Sequence, residues 1–310
     1  MKPILPPRLE PGQTIGLVSP SSPVTPELED QLSRGIACLQ RMGFSVQPGD
    51  HIRSRTLGYA ASPREKAADI HRMFADNSID AILCTQGGMT ANACLPYLDW
   101  NLIRSHPKIF LGISDITVLL NAIQAKTGLV TFHGDDVLWG LGREPGEYEL
   151  SEFQARLMDG RIGLIPANGA RKTVRSGQAE GILLGGNLRC LLNLAGTSCW
   201  PDFRDGILFV EALDITPEKC DYMFRQLEQI GVFNCIRGVV VGYVDGMQRR
   251  GGGGAQMEDI LLRTAENYDF PILKVNDFGH NCQNTVLPVG GRLRLDADEL
   301  TLEILTPCVG

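Results

Sequence analysis

The residues most suggestive of chemistry sit at one abrupt corner. The apolar run Ile109–Leu111 ends at Gly112, Ile113, Ser114 and Asp115 follow, and an apolar helical pattern starts at once. A hydroxyl at a strand-to-helix corner stands free at the sheet edge. The Asp115 N–H and the helix N-terminus then favour negative charge developing beside it. That is how a nucleophilic serine is mounted, although the motif is G-I-S-D rather than G-x-S-x-G. The same residue types also make an ordinary helix N-cap. A second donor could come from "TQGGMTAN" (85–92), where Gly87 and Gly88 follow the apolar run "AILC" and let the backbone approach a ligand. A plain tight turn uses the same glycines.

A nucleophilic serine needs a base, and the base an orienting acid. Of the five histidines, His51, His71 and His106 stand in polar or helical surroundings and read as surface residues. His133 and His280 each follow a strand pattern, where a loop histidine bonded to backbone is the ordinary expectation. His280, in the small-residue loop "NDFGHN", is the better base candidate. Glu211 closes the apolar run "ILFVE", and a carboxylate there is costly unless paired. A histidine partner resolves that cost, but spacing alone does not bring Ser114, Glu211 and His280 together. His133, Asp135 and Asp136 in "HGDD" suit a divalent ion by type, yet no second cluster completes the set, so a solvated turn is expected there and no metal. "RRGGGG" lacks the G-K-[ST] ending of a phosphate loop and reads as a flexible loop. No strand runs into G-x-G-x-x-G.

The elements that must position these residues alternate. "TIGLVSP", "FSVQPG", "DAILCTQGG" and "IFLGIS" read as strands. "ELEDQLSRGIACLQRMG" (27–43), "SPREKAADIHRMFAD" (62–76) and "DITVLLNAIQAKTG" read as helices. In the second of these, Ser62 is the N-cap, Pro63 sits at N1 and Glu65 completes a capping box. Alternation of this kind predicts an α/β fold, an N-terminal doubly wound, mostly parallel sheet carrying the nucleophile corner. Its ligands would bind beyond the carboxyl ends of the strands, so the loops "SPSSP", "TQGGMTAN" and "GISD" should share one edge. From about 140 to 180 the pattern fails, apart from a short helix at 151–158. The second half reads as a smaller α/β domain: "GILLGGNLRCLLNLAG" as turn and helix, "ILFVE" as strand, a helix capped by Thr216 with Pro217 at N1, "IRGVVVGYV" and "FPILKVNDFGHN" as strands, and "RLRLDADELTLEIL" as a hairpin. The expected division is a nucleophile-bearing domain 1–140, a connection 141–177, and a domain 178–310 supplying acid and base.

A chain of 310 residues suits roughly two domains. Its 43% hydrophobic and 21% charged residues are those of a soluble globular protein. A net charge of -7 argues against a nucleic-acid binder. Prolines 3, 6, 7 and 11 interrupt any signal-peptide core, and no stretch approaches a membrane span. Nine scattered cysteines without a C-x-x-C favour reduced thiols in the cytoplasm.

Taken together, the motifs resemble the LD-carboxypeptidase family of serine peptidases, in particular its microcin C immunity hydrolase-like branch. The resemblance covers nearly the whole chain. It runs through "GLVSPSSPVT", "SPREKAADIHRMFAD", "GGMTANACLPYLDWNLIRSHPKIFLGISDITVLLNAIQAKTGLVTFHG", "LLGGNLRCLLNLAGT", "DGILFVEALDITPE", "QLEQIGVF" and "NDFGHNCQNTVLPVG". It implies a Ser114–His280–Glu211 triad, oxyanion donors at the Gly88 and Asp115 N–H groups, no cofactor, a homodimer, and cleavage of the amide next to a terminal carboxylate-bearing residue. The implied substrate is murein tetrapeptide, or alternatively a microcin-type peptide–nucleotide conjugate; a non-catalytic peptide-binding protein is the rival of another class. Gln86, Gly87 and Asn187 are the candidate substrate contacts. Murein-trimming members often carry an arginine where this chain has Gln86, which makes a bidentate arginine clamp impossible there and predicts weaker selection for a free carboxylate unless another cation replaces it. In the stretch 141–180 only Tyr148 and Phe153 are aromatic, a poor supply for a nucleobase clamp.

Overall fold

The computed structural model describes residues 2–248 and 254–310, so the "RRGGGG" loop lies mostly outside the described residues. In the N-terminal half, strands β1 (Thr14–Val18), β2 (Ser45–Pro48), β3 (Ala81–Cys84), β4 (Ile109–Gly112) and β5 (Thr131–His133) pair in parallel in the order β5-β4-β3-β1-β2. Helices α1 (Glu29–Arg41), α2 (Pro63–Ala75), α3 (Trp100–Ser105) and α4 (Thr117–Thr127) connect them. The buried strands are all apolar, as a sheet covered on both faces requires. The α2 start is as the sequence predicts: Ser62 Oγ accepts from the Glu65 N–H and Glu65 Oε2 accepts from the Ser62 N–H. Gly128, at φ +81°, closes α4 in the left-handed conformation that glycine adopts without penalty.

The stretch expected to be a connection is more ordered than its polarity suggests. It holds α5 (Glu147–Phe153), continued by a π-helical turn (Gln154–Met158), and two strands, β6 (Gly163–Leu164) and β7 (Lys172–Arg175). A second sheet of eight strands follows, adding β8 (Gln178–Asn187), β9 (Gly206–Ala212), β10 (Gly238–Val244), β11 (Ile272–Gly279), then β13 (Arg292–Asp296) and β14 (Thr301–Ile304). Its order is β6-β14-β13-β8-β9-β10-β11-β7, parallel from β8 to β11 and antiparallel at both flanks. Helices α6 (Leu188–Leu192), α7 (Pro217–Gln229) and α8 (Met257–Thr264) complete it, with Thr216 capping α7 as expected.

Two features depart from the sequence reading. "GILLGGN" is not a turn but the end of the ten-residue strand β8. Gly185 and Gly186 sit there at φ +137° and +131°, and a Cβ on Gly185 would fall 2.0 Å from the Phe209 carbonyl oxygen. Only glycine allows that approach. The intervening strand β12 (Leu287–Val289) leaves the second half and pairs antiparallel with β5, closing the first sheet. The α/β class with a parallel sheet in the N-terminal part is as read from sequence. Among the described residues no helix is long and apolar enough to cross a membrane.

Candidate active site

Ser114 follows β4 with a backbone φ of +65°. A non-glycine residue in that region costs on the order of 1–3 kcal/mol, and such strain persists only where the surroundings enforce it. The serine caps nothing: the short 3₁₀ turn Ser114–Ile116 is preceded by Ile113 and has no side-chain cap. The packing that enforces the turn is visible on both sides. A Cβ on Gly112 would meet Ile116 at 2.8 Å, and one on Gly87 would meet the Ser114 Cβ at 2.6 Å and Oγ at 2.8 Å. Gly87 therefore makes room for the Ser114 hydroxyl, and Gly112 for the Ile116 side chain.

The three loops predicted to share an edge are bonded to one another. The buried Asp115 carboxylate accepts from Ser21 Oγ (2.5 Å) in the loop after β1 and from the Ala91 N–H (2.8 Å) beyond β3. The Ser22 N–H donates to the Gly87 carbonyl, and Lys66 Nζ donates to Thr90 Oγ1, whose hydroxyl reaches the Ser21 carbonyl. Gly88 sits at φ +146°, where a Cβ would strike Ser21 and Ser22. Its N–H makes no hydrogen bond to a described residue and is free for a ligand.

On the second sheet, Asn187 and Glu211 are register partners on β8 and β9. Glu211 is fully buried. Its Oε1 accepts from Asn187 Nδ2 at 3.0 Å, and its Oε2 lies 2.5 Å from His280 Nδ1. A carboxylate can only accept, so Nδ1 carries the proton and Nε2 is left free. Burial works against ionising Glu211, but His280, His133 and Asn187 together hold it below the ordinary carboxylate value. Burial likewise opposes the His280 imidazolium, and the charge and hydrogen bond of Glu211, with Asp136 and Asp245 beyond, outweigh it and raise the histidine. His280 follows Gly279 at the end of β11. The Gly279 N–H donates to Asn284 Oδ1, and Asn284 Nδ2 donates to Asp135 Oδ1, which ties the histidine loop to the loop after β5.

The two halves are keyed together beside these groups. Thr117 Oγ1, one turn beyond Ser114, accepts from the Asn187 N–H at 2.9 Å, and Asn121 exchanges two hydrogen bonds with Gly185. A Cβ on Gly186 would lie 2.4 Å from Thr117 Oγ1. The nucleophile helix α4 is thus seated on the strand that carries the partner of Glu211.

Ser114 and His280 line one cleft of about 790 Å³, with Gln86, Gly87, Gly88, Trp139 and Arg143 among its other walls. Gln86 is buried and its amide is spoken for: Nε2 donates to the Pro23 carbonyl and Oε1 accepts from Trp139 Nε1. Asn187 does not line the cleft; it stands behind Glu211 and caps α6 through the Cys190 N–H. Sequence reasoning passed over Trp139, which is 42% exposed, because it lies just before the window searched for aromatics.

His133 is a strand residue of the core, not a loop histidine bonded to backbone. Among the described residues neither ring nitrogen finds a hydrogen-bond partner, and Phe209 and Phe278 meet it edge-on at 5.3 and 5.9 Å. It is not among the residues lining the cleft, as Asp135 and Asp136 are. Burial, and then repulsion from Glu149, hold Asp135 well above the usual carboxylate range, and burial lifts Asp136 to about 6 against the Trp139 and Gly140 N–H groups. Among the described residues no group of three or more side chains is placed to hold a metal ion.

Comparison with known proteins matches residues 15–134 to the model of an LD-carboxypeptidase N-terminal domain and residues 180–295 to that of an LD-carboxypeptidase C-terminal domain. The chain is 30% identical to a Bacillus subtilis protein named "Probable murein peptide carboxypeptidase", over 96% of this chain and 93% of that one. It is 28% identical to the Microcin C7 self-immunity protein MccF of Escherichia coli, over 97% and 96%. The solved structure of MccF in complex with glutamyl sulfamoyl guanosine superposes with a TM-score of 0.92 at 26% identity, covering 99% of this chain and 100% of that one.

Proposed function

The chain belongs to the LD-carboxypeptidase family of serine peptidases, and from that premise we propose that it releases the terminal carboxylate-bearing residue of a small peptide, murein tetrapeptide above all. The observation that supports this most directly is the buried Glu211–His280 pair opening onto the same cleft as the strained Ser114. In the proposed cycle Ser114 Oγ bonds to the carbonyl carbon of the scissile amide while His280 Nε2 takes its proton. The carbonyl electron pair moves onto oxygen, where the Gly88 and Asp115 N–H groups meet it. Collapse breaks the C–N bond, and His280 gives its proton to the leaving amine. Water then attacks the acyl-serine by the same route and restores the hydroxyl. Glu211 holds the imidazole in the Nδ1–H tautomer and stabilises the imidazolium. Every group in the cycle is supplied by this chain.

A second reading, hydrolysis of aminoacyl-nucleotide conjugates, is supported by the likeness to MccF and by the half-exposed Trp139 indole in the cleft wall. Tyr148, whose hydroxyl donates to the Pro166 carbonyl, and the buried Phe153 are not among the cleft-lining residues. Arg143 already covers one face of Trp139 at 4.5 Å, which favours the peptide reading. Mass spectrometry of murein tetrapeptide and of an aminoacyl sulfamoyl adenosine, each incubated with the protein, separates the two. Release of D-alanine from the first at the higher kcat/KM supports the peptide reading, and the reverse order overturns it. The same proposal includes a homodimer and a reducing, cytoplasmic setting, which the nine free cysteines suit; a solution mass of 33.9 kDa, that of one chain, would count against the dimer.

A further inference from the structure

A carboxypeptidase must recognise a negative charge close to its scissile bond, and the position where the family often places an arginine holds Gln86, whose amide is already engaged. The cation of this cleft is elsewhere. Among the described residues lining it, Arg143 is the one lysine or arginine. We propose that Arg143 receives the terminal carboxylate of the substrate, and that Trp139 and Gln86 hold it in place to do so. The inference rests on the peptidase reading above and adds to it a specificity-determining residue.

Arg143 bridges the two loops that flank the nucleophile. On one side its guanidinium lies over the Trp139 ring at 4.5 Å, and the indole N–H donates to Gln86 Oε1, next to the Gly87–Gly88 turn. On the other side Nη1 donates to Asn281 Oδ1, adjacent to His280. Stacking on an aromatic ring orients a guanidinium while leaving in-plane N–H groups free for a carboxylate fork. No ion pair joins Arg143 to a described residue. The neighbouring acids have other partners: Asp136 accepts from the Trp139 and Gly140 N–H groups, Asp135 from Asn284, and Glu149 from the Gly146 N–H. Glu144, next in the chain, is exposed on the same wall. Gln86 therefore has a role that its sequence position did not reveal. It is a positioning residue for the tryptophan that seats the arginine, and Arg143 is then the replacement cation on which the expectation of weaker carboxylate selection was conditional.

The test compares kcat/KM for a tetrapeptide ending in D-alanine with that for its C-terminal amide. The native protein should prefer the free acid, and Arg143→Gln should lower that preference at least ~10-fold, the difference between a charged and a neutral hydrogen bond. Arg143→Lys should recover part of it, and Gln86→Leu should lower it by a smaller factor, as a positioning role requires. Thermal midpoints show whether each variant is folded. An acid-to-amide ratio unchanged in a folded Arg143→Gln overturns the inference while leaving the peptidase reading intact. A native protein that hydrolyses neither peptide overturns the reading on which the inference stands.

Discussion

Nδ1 of His280 lies 2.5 Å from Oε2 of Glu211, with no solvent on the carboxylate side. In the proposed cycle this pairing sets the pH at which His280 can act as the base. Burial alone would lower His280, but the charge and hydrogen bond of Glu211 outweigh it, so the histidine titrates above its ordinary 6.5. The base must be neutral to take the serine proton. We therefore expect kcat/KM to rise with pH and reach half its plateau above 6.5. Glu211→Gln should move that limb to lower pH and cut kcat by on the order of 10³–10⁴, since the tautomer is no longer held. A limb that stays in place in the variant would show that Glu211 does not act on the base.

If Ser114 and His280 form one proton-transfer unit, as proposed, their losses should not add. Each alanine variant should lose several orders of magnitude in kcat, and the double variant should be hardly worse than either alone. Rates measured with one peptide across the four proteins decide this. A double variant showing the product of the two single losses would mean that the residues act separately.

Asn187 donates to Glu211 and also caps α6, and two substitutions separate these roles. Asn187→Ala loses both, at about 1 kcal/mol for the cap, and should lower kcat roughly 10-fold with little change in KM, the mark of a group that acts through another. Asn187→Asp keeps an acceptor for the Cys190 N–H but sets a second carboxylate beside Glu211. It should be no more stable than the alanine variant, because the new carboxylate is buried against Glu211, and should lose at least as much kcat. If KM rather than kcat moves in both, Asn187 reaches the substrate after all.

How much of this was legible follows from range in sequence. The Ser114 corner, the α2 capping box and the Thr216 cap are local patterns, each decided within a few residues, and they stand where the sequence predicted. The long-range features were hidden. "GGN" looks like a turn because glycine pairs usually are, and only the approach of Phe209 and Thr117 shows why a strand needs them there. Pairing of β12 with β5 joins residues more than 150 apart, which no periodicity reveals. Asn187 was assigned to substrate for want of its register partner, and Gln86 because its partners, Pro23 and Trp139, lie far from it in sequence. His133 looked like a loop histidine because its aromatic neighbours come from β9 and β11.

His133 yields the last prediction, about acid stability. It is 0% exposed, both ring nitrogens lack a hydrogen-bond partner among the described residues, and burial, with repulsion from His280 against attraction from Glu211, pushes it down to about 4. Unfolded, it titrates near 6.5, so between pH 6.5 and 4 the unfolded chain binds the extra proton. Its contribution is therefore complete above 6.5 and lost as pH falls toward 4, up to about 3 kcal/mol at 1.36 kcal/mol per unit. Other groups run the opposite way. The raised His280 stabilises most below 6.5 and loses that contribution as pH rises through its folded value, and the raised Asp136 also favours the folded state at lower pH. The native pH profile mixes these signs, so the difference from a variant is the useful quantity. His133→Phe keeps the ring contacts with Phe209 and Phe278 and removes the titration. Urea unfolding of both proteins at pH 7.5 and 4.5 should show the variant gaining about 2 kcal/mol or more relative to the native chain on acidification. Parallel loss in the two proteins would mean that His133 is protonated inside the fold at no cost, and that the buried ring has a partner.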